Sequence, residues 1–268
     1  MAIDTVLFDL DDTLCDQRGA RRRAQERAGA RLREYGIERT EVFWREFEEH
    51  EPPLFKEFAE GRISKEAYRI GRFSRIVAAH VADPGPGAGP DPGLVQRISA
   101  ELNALFLDSA NSDIDLFDDV LPTLTTLERQ GIRSALFTNG PSDGQRRKIR
   151  ALGLDRHLPH LSLFISEELG HAKPAREAFG AVLAALSASP ECTLMVGDSP
   201  ETDIAGARAS GLAAVLLDRG GRAREEGAAE VPCAIRSLDE LLPHLTSLRA
   251  GRPGVSRPPG PGRRARPG

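Results

Sequence analysis

The feature that most constrains the fold of this chain is a short apolar segment near its start, Thr5 to Phe8, which ends abruptly at Asp9. A segment without alternating polar residues suits a strand buried on both faces, as the strands of a parallel sheet are. Similar segments recur further along and alternate with stretches of helical periodicity; they are Ser134–Phe137, Leu161–Ile165, Thr193–Val196 and Ala213–Leu217. This alternation predicts an α/β fold with a parallel sheet.

About ninety residues between the first and second predicted strands carry only helical patterns. Apolar residues recur there at three- and four-residue spacing, which is typical of amphipathic helices. We therefore predict an all-helical domain at residues 16–112, inserted into a core made of residues 1–15 and 113–250. The last segment, residues 251–268, is rich in Pro, Gly and Arg and has no acidic residue, which predicts a disordered basic tail.

The composition excludes several classes of function. The 36 basic and 40 acidic side chains give a net charge of −4, so the chain lacks the basic field that favours a nucleic-acid partner. No apolar run approaches the roughly 20 residues that span a bilayer, and the N-terminus does not read as a signal peptide. The three cysteines, Cys15, Cys192 and Cys233, form no CxxC pair, which favours a reducing cytoplasm. We expect a cytoplasmic monomer or homodimer that binds a small molecule, with no nucleic acid and no membrane.

Polar side chains follow the predicted strands at or shortly after the point where each strand ends. They are four aspartates, a threonine, an asparagine and a lysine: Asp9, Asp11, Thr138, Asn139, Lys173, Asp198 and Asp203. Because ligands of parallel α/β sheets bind outside the carboxyl ends of the strands, these side chains should converge there. Converging carboxylates need a cation, and hard oxygen ligands favour Mg²⁺. A lysine and a threonine hydroxyl at the same place suit a phosphate.

These residue types fit phosphoryl transfer to a carboxylate. One aspartate would attack phosphorus and form an aspartyl phosphate, while a second would handle the proton of the leaving oxygen. Mg²⁺ and the lysine would offset the charge that gathers on the phosphoryl oxygens. Lysine is scarce in this chain, with only Lys56, Lys65, Lys148 and Lys173, so a lysine near a strand end carries more information than usual.

Four motifs give the chain a resemblance to a known superfamily: Phe8–Leu14 (FDLDDTL), Phe137–Gly140 (FTNG), Lys173–Pro174, and Gly197–Ser199 (GDS) together with Asp203. Over residues 3–245 the chain resembles the haloacid dehalogenase-like (HAD) hydrolase superfamily, and it is similar to the phosphatase branch. The resemblance implies a Rossmann-like core. The helical insert resembles the superfamily's helical cap of the first type, which closes over small-molecule substrates.

The resemblance also implies roles for the four aspartates. Asp9 would be the nucleophile and a metal ligand. Asp11 would be the general acid and base, with its backbone carbonyl on the metal. Asp198 would ligate Mg²⁺, and Asp203 would orient either the water of the metal or Lys173.

By the same resemblance, the remaining three residues would serve the phosphoryl group. Thr138 and Asn139 would bind the group while it is transferred. Lys173 would neutralise its charge.

The resulting prediction is a Mg²⁺-dependent phosphomonoester hydrolase that acts on a small phosphorylated metabolite. Asp11 favours a phosphatase over a dehalogenase, because the dehalogenating branch resembles a pattern without an acid at that position. The alternatives are a phosphomutase, a phosphonate hydrolase with a cap lysine (Lys56 or Lys65), and a non-catalytic phosphometabolite sensor. The intact pair of Asp9 and Asp11 weighs against the sensor. The substrate is left open among phosphoglycolate, a sugar phosphate and a nucleoside monophosphate.

Overall fold

The computed structural model describes residues 3–81, 89–221 and 233–250, the last four without their side chains. The described chain forms a six-stranded, all-parallel sheet in the order β3-β2-β1-β4-β5-β6. The strands are β1 (Thr5–Phe8), β2 (Arg133–Thr138), β3 (Ser162–Ile165), β4 (Thr193–Gly197), β5 (Ala213–Leu217) and β6 (Ala234–Ile235). The predicted disordered tail, residues 251–268, lies outside the described residues.

Strand β1 lies at the centre of the sheet, and its register fixes where the site forms. Phe8 at its end pairs with Leu136 of β2 on one side and with Val196 of β4 on the other. The chain runs outward from β1 through β2 and β3, and then returns to the opposite side of β1 to begin β4. The loops after β1 and β4 therefore diverge, which opens a crevice at the carboxyl edge of the sheet.

Apolar layers cover both faces of the sheet. Val6 and Phe8 belong to one buried cluster, whereas Leu7 packs into another with Phe137 and Phe179. This two-sided burial explains why β1 shows no polar alternation, since neighbouring residues of a strand point to opposite faces. The core helices are α5 (Val120–Arg129), α6 (Ser142–Ala151), α7 (Leu154–His157), α8 (Ser166–Leu169), α9 (Arg176–Leu186), α10 (Ala205–Ala209) and α11 (Leu241–Ala250).

Four further helices between β1 and β2 form a separate hydrophobic cluster. They are α1 (Gln17–Glu34), α2 (Thr40–Ala59), α3 (Lys65–His80) and α4 (Pro92–Ser112). Their buried centre contains Phe43, Phe47, Phe73 and Phe106, which pack around Trp44. The prediction of an α/β Rossmann-like core with an inserted helical cap is confirmed.

The sequence prediction and the structure differ in small elements. Strand β6 was not predicted, because two residues are too few to show a period. Helix α4 runs from Pro92 to Ser112, so it ends where the predicted insert ends. Among the described helices, none combines the length and the apolar character needed to cross a lipid bilayer.

Candidate active site

The loop after β1 is held in place by its own backbone. The Asp9 N–H donates to the carbonyl of Val196 at 2.9 Å, so the first residue after the strand is still tied to β4. Asp12 adopts a left-handed conformation with φ of +59°, and its N–H donates to the carbonyl of Cys15. Aspartate tolerates this conformation better than most residues. The turn fixes Asp9 and Asp11 at the mouth of the crevice.

Lys173 is the central cation of the site. Its Nζ lies 2.7 Å from Asp9 Oδ1, 2.6 Å from Asp203 Oδ1 and 2.8 Å from the carbonyl oxygen of Phe137. These three acceptors satisfy all three donors of an ammonium group that is only 4% exposed. Burial lowers the pKa of Lys173, but Asp203 and Asp9 outweigh burial and hold that pKa above its ordinary value. Lys173 is therefore a permanent positive charge beside Asp9.

Asp9, Asp198 and Asp203 form a cluster that could hold a metal ion. One carboxylate oxygen from each lies within 4.8 Å of the others. Burial raises the pKa of Asp9 well above its ordinary value and that of Asp198 to about 7, because neither charge is compensated well enough in the protein alone. Three ionised carboxylates with Lys173 leave two negative charges, which a hard dication such as Mg²⁺ would balance.

Asp11 lies beside this cluster with partners of its own. Its two carboxylate oxygens are 2.7 and 2.8 Å from Lys148 Nζ, and Gln145 Nε2 donates to Oδ2 at 3.1 Å. The side chain therefore lies outside the three-carboxylate cluster. Its predicted contact with a metal through the backbone carbonyl stays a prediction.

Thr138 and Asn139 follow β2 as expected, but their side chains have different surroundings. The Thr138 hydroxyl accepts from Gln145 Nε2 at 2.8 Å, which leaves its own proton free to donate. The Asn139 amide donates to the Lys173 carbonyl and accepts from the Lys173 N–H, both at 2.9 Å. The Asn139 side chain therefore positions the backbone of Lys173. A contact between Asn139 and a phosphoryl group stays a prediction.

Three residues of this site were missed by the reasoning from sequence. Gln145 and Lys148 lie one turn apart on α6, where three-residue spacing puts side chains on one face. Arg18 contacts Asp198 and Asp12, each at 3.1 Å. The scarcity of lysine was a signal for Lys148, but no pattern pointed to Gln145 or Arg18.

All seven residues predicted for the site line one cavity of about 390 Å³, although the structure does not test the roles assigned to them. The loops at the carboxyl edge of the sheet form one side of the cavity. Residues of α1, α2, α3 and α4 form the other side. A cavity of this size suits a small molecule.

The comparison with known families agrees with this geometry. The family model for haloacid dehalogenase-like hydrolases matches residues 3–211. The chain belongs to this family. Its match covers β1 to α10 and therefore includes every residue of the site.

Similar proteins narrow the activity of this HAD-like hydrolase. Ribulose-1,5-bisphosphate 5-phosphatase from Halopiger xanaduensis is 30% identical over 244 residues, which are 91% of this chain and 96% of the relative. Glyceraldehyde 3-phosphate phosphatase from Methanopyrus kandleri is 30% identical over 221 residues, 81% of this chain and 85% of the relative. Among solved structures, the fold is similar to a crystal structure of the HAD-hydrolase YfnB from Bacillus subtilis with bound magnesium, with a TM-score of 0.66 and 25% sequence identity. The match covers 91% of this chain and 99% of the YfnB chain. The protein is a hydrolase of phosphoric monoesters.

Gly197→Ala in this hydrolase is expected to disturb the site, because the added methyl group would collide with the Asp203 side chain. A Cβ at position 197 would lie 2.2 Å from Asp203 Oδ2 and 2.4 Å from Asp203 Cγ, so Asp203 or the strand must move. Overpacking of this kind costs about 1–3 kcal/mol, and here it also displaces a partner of Lys173. We expect lower thermal stability and a lower kcat.

Gly180→Ala is the matched control on α9. Nothing in the described structure lies within 4 Å of a Cβ at this exposed helical position. Alanine in a helix interior is favoured over glycine by about 0.5–1 kcal/mol, so stability should rise slightly and activity should be retained. Thermal melts and phosphate-release assays compare the two variants. Equal melting temperatures and equal kcat values would contradict the predicted clash at Gly197.

Proposed function

We propose that this protein is a Mg²⁺-dependent phosphomonoesterase that acts on a small phosphorylated metabolite through an aspartyl phosphate on Asp9. The observation that supports the proposal most directly is that Asp9 and Asp11 have different cationic partners. Asp9 shares the buried ammonium of Lys173 with Asp203, whereas Asp11 has a separate cation, Lys148. One carboxylate is thus placed to attack, and a second is placed to move a proton.

The proposed division of the chain follows the two hydrophobic clusters. Residues 1–15 and 113–250 would form the catalytic core, and residues 16–112 the cap. Both contribute to the cavity at the carboxyl edge of the sheet, which supports a cap that covers the substrate. The cap boundaries and the tail at 251–268 remain predictions of the sequence.

In the first half-reaction, a carboxylate oxygen of Asp9 attacks phosphorus and the bond to the leaving alcohol breaks. Lys173 holds Oδ1 of Asp9, which leaves Oδ2 for the attack. Asp11 gives its proton to the leaving oxygen, so a neutral alcohol departs. Lys148 and Gln145 hold the Asp11 carboxyl group in position for this transfer.

In the second half-reaction, water attacks the phosphorus of the aspartyl phosphate. Asp11 takes the proton of this water, the bond between phosphorus and Asp9 breaks, and inorganic phosphate leaves. Both aspartates return to their starting states. Lys173 and the hydroxyl of Thr138 stabilise the negative phosphoryl oxygens in both halves, and Asn139 is proposed to contact the same group.

The three-carboxylate cluster fits Mg²⁺ in donor type and in charge. Asp9, Asp198 and Asp203, with the backbone carbonyl of Asp11, are the proposed ligands. When bound, Mg²⁺ would offset negative charge on the phosphoryl oxygens.

The positions of the cap lysines argue against one alternative, the phosphonate hydrolase. A phosphonate hydrolase of the kind considered above needs a cap lysine within the cavity. In the described structure, neither Lys56 nor Lys65 lines it, and Lys65 lies 3.3 Å from Glu167. This favours the phosphomonoesterase.

We also propose a cytoplasmic protein that works as a monomer or homodimer on a soluble substrate. Its cysteines, Cys15, Cys192 and Cys233, are all free, which supports a reducing compartment. The phosphorylated sugars in the names of the two relatives support a substrate of similar size.

A panel of phosphorylated metabolites tests the proposed function. Purified protein should release inorganic phosphate from at least one of them in MgCl₂, and an excess of EDTA should abolish the release. Phosphonoacetaldehyde and a 2-haloacid in the same panel test the phosphonate hydrolase and the dehalogenase. Release from no phosphomonoester, or release that EDTA does not affect, would overturn the proposal.

Binding of Mg²⁺ is expected to weaken as the pH falls below about 7. Burial raises the pKa of Asp198 to about 7 in the metal-free protein, and a protonated carboxyl group is a poor ligand. Each proton that competes with the metal lowers the apparent affinity about tenfold per pH unit, so the drop should be at least about tenfold, because the raised pKa of Asp9 adds a second competing proton. Calorimetric titration with MgCl₂ at about pH 6, 7 and 8 measures the effect, with NaCl at equal ionic strength as the control.

The same shift predicts how the metal-free fold responds to pH. The unfolded Asp198 carboxyl group ionises near its ordinary pKa of 3.8, whereas the folded one keeps its proton to about 7. The folded state therefore binds more protons between these values, and its stability falls as the pH rises through this window. Thermal melts should show MgCl₂ restoring more stability at about pH 8 than at about pH 6; equal restoration would contradict Asp198 as a ligand.

A further inference from the structure

The side of the cavity opposite Asp9 contains a second group of charged residues, which no step of the proposed reaction uses. We call Arg21, Glu51, Tyr68 and Arg72 the cap arginine cluster. Glu51 Oε1 accepts from the Tyr68 hydroxyl at 2.9 Å and from Arg72 Nη1 at 3.3 Å, and Oε2 contacts Arg21. All four residues line the cavity that contains Asp9 and Lys173.

The cap arginine cluster carries more positive than negative charge. Its two guanidinium groups face one carboxylate, so one positive charge is left without a balancing partner in the cluster. Arg72 is only 4% exposed and Glu51 only 7%, so water compensates this charge poorly. An anion that enters the cavity would remove this imbalance.

Arg72 also has a donor without a partner. Its Nη1 contacts Glu51 and its Nη2 donates to Asn103 Oδ1 at 2.7 Å, but Nε has no hydrogen-bond partner among the described residues. A buried donor left unpaired is unfavourable, and a nine-tenths buried arginine is rare without a full set of acceptors. The guanidinium carbon lies 5.1 Å from the ring centre of Phe106, which fixes its plane. A rigid guanidinium group in the lining of a cavity is suited to an oxyanion.

The cavity thus has the aspartates and Lys173 on the side of the sheet and the cap arginine cluster on the side of the cap.

We propose that the cap arginine cluster binds a second anionic group, a carboxylate or a phosphate, on a substrate whose phosphoryl group lies at Asp9. This inference rests on the proposed function and defines the substrate class: a short chain with a phosphomonoester at one end and an oxyanion at the other. Arg72 and Arg21 are then specificity residues, since they contact the substrate away from the reacting atoms.

Two substrate pairs test the proposal and separate the two kinds of anion. 3-Phosphoglycerate has a carboxylate where glycerol 1-phosphate has a hydroxymethyl group. Ribulose 1,5-bisphosphate has one phosphate group more than ribulose 5-phosphate. In at least one pair, kcat/KM of the wild type should favour the member with the second anion by about 10- to 100-fold, the size of a lost charged hydrogen bond. Equal values within both pairs would overturn the anion site and leave the phosphatase standing.

Variants on one helix assign the effect to Arg72. Arg72→Met should reduce the preference in the favoured pair to about twofold or less, while Arg72→Lys keeps the charge and should retain part of it. Arg75→Met, at an exposed position of the same helix, should retain the full preference. Thermal melts establish that each variant is folded, and a preference that a folded Arg72→Met variant retains in full would overturn the assignment.

Binding measurements decide the question even if turnover fails. Calorimetry on the full-length Asp9→Asn variant compares Kd values within each pair without hydrolysis. A preference of the same size for the second anion supports the cap arginine cluster, and equal Kd values overturn it. If the wild type releases phosphate neither from these four compounds nor from the metabolite panel, the proposed function fails, and the Kd ratio still tests the anion site.

Discussion

Asp9→Asn is expected to abolish phosphate release from every phosphomonoester. The substitution keeps the shape of the side chain but replaces the attacking carboxylate with an amide, which cannot form an aspartyl phosphate under these conditions. It also removes one of the three carboxylates of the proposed metal cluster and one of the two negative charges that face Lys173. Loss of a catalytic nucleophile reduces kcat by about 10⁶-fold in other hydrolases, and we expect a loss on that order here.

Asp4→Asn is the matched control for this variant. Asp4 precedes β1, is exposed, and lies 3.8 Å from Arg133, far along the strand from the cavity. It should release phosphate at the wild-type rate. Acid-quenched wild type should carry a phosphoryl group on Asp9 in mass spectra, and Asp9→Asn should carry none. Phosphate release by Asp9→Asn at a rate near that of the control would exclude Asp9 as the nucleophile.

The central part of the fold could be predicted because its strands are buried on both faces. Thr5–Phe8 shows this burial directly in the sequence, and the predicted limits of β1 and β5 match the structure. Strand β6 could not be predicted in the same way. Its two residues pair only with the end of β5, so its existence depends on the sheet already being in place.

The residues at the strand ends could be predicted for a related reason. Once the strands are parallel, topology alone brings Asp9, Lys173 and Asp198 to one edge, whatever the details of packing. The pairing of Asn139 with the backbone of Lys173 has no such signal. It depends on how closely the loops after β2 and β3 approach, which only the assembled structure determines.

The contacts that the helices over the site make could not be predicted from the sequence. Lys148 reaches Asp11 because α6 lies across the loop after β1, and Arg72 reaches the cavity because α3 packs above the sheet edge. Helical periodicity predicts which face of a helix is buried, but not which residue of another segment that face meets. The cations on the covering helices, Lys148 and Arg72, were missed for this reason.

Asp11→Asn is expected to separate the two half-reactions. The variant keeps Asp9 and Lys173, so attack on phosphorus remains possible, but it lacks the proton donor and acceptor. That loss is worth about 10²–10⁴ in rate for an alkyl phosphate, whose leaving oxygen needs the proton. Nitrophenyl phosphate has a leaving group that departs without one, so its attack step should be largely spared.

The second half-reaction of Asp11→Asn should then be slow with every substrate, because water needs the same base. Stopped-flow absorbance should show a burst of nitrophenol followed by slow turnover, and mass spectrometry of quenched enzyme should find the phosphoryl group on Asp9. Equal loss for both substrates with no burst would contradict Asp11 as the acid and base.

A second measurement separates this chemical effect from a structural one. In Asp11→Asn the buried ammonium of Lys148, which is only 6% exposed, loses its carboxylate partner, and an unpaired buried charge is destabilising. The double variant Asp11→Asn with Lys148→Met removes both charges, so its melting temperature should exceed that of Asp11→Asn alone. The slow breakdown of the phosphoenzyme should persist in the double variant, because restoring stability does not restore the base. If restored stability also restored fast turnover, Asp11 would be a structural partner of Lys148 and the proton would have to move elsewhere.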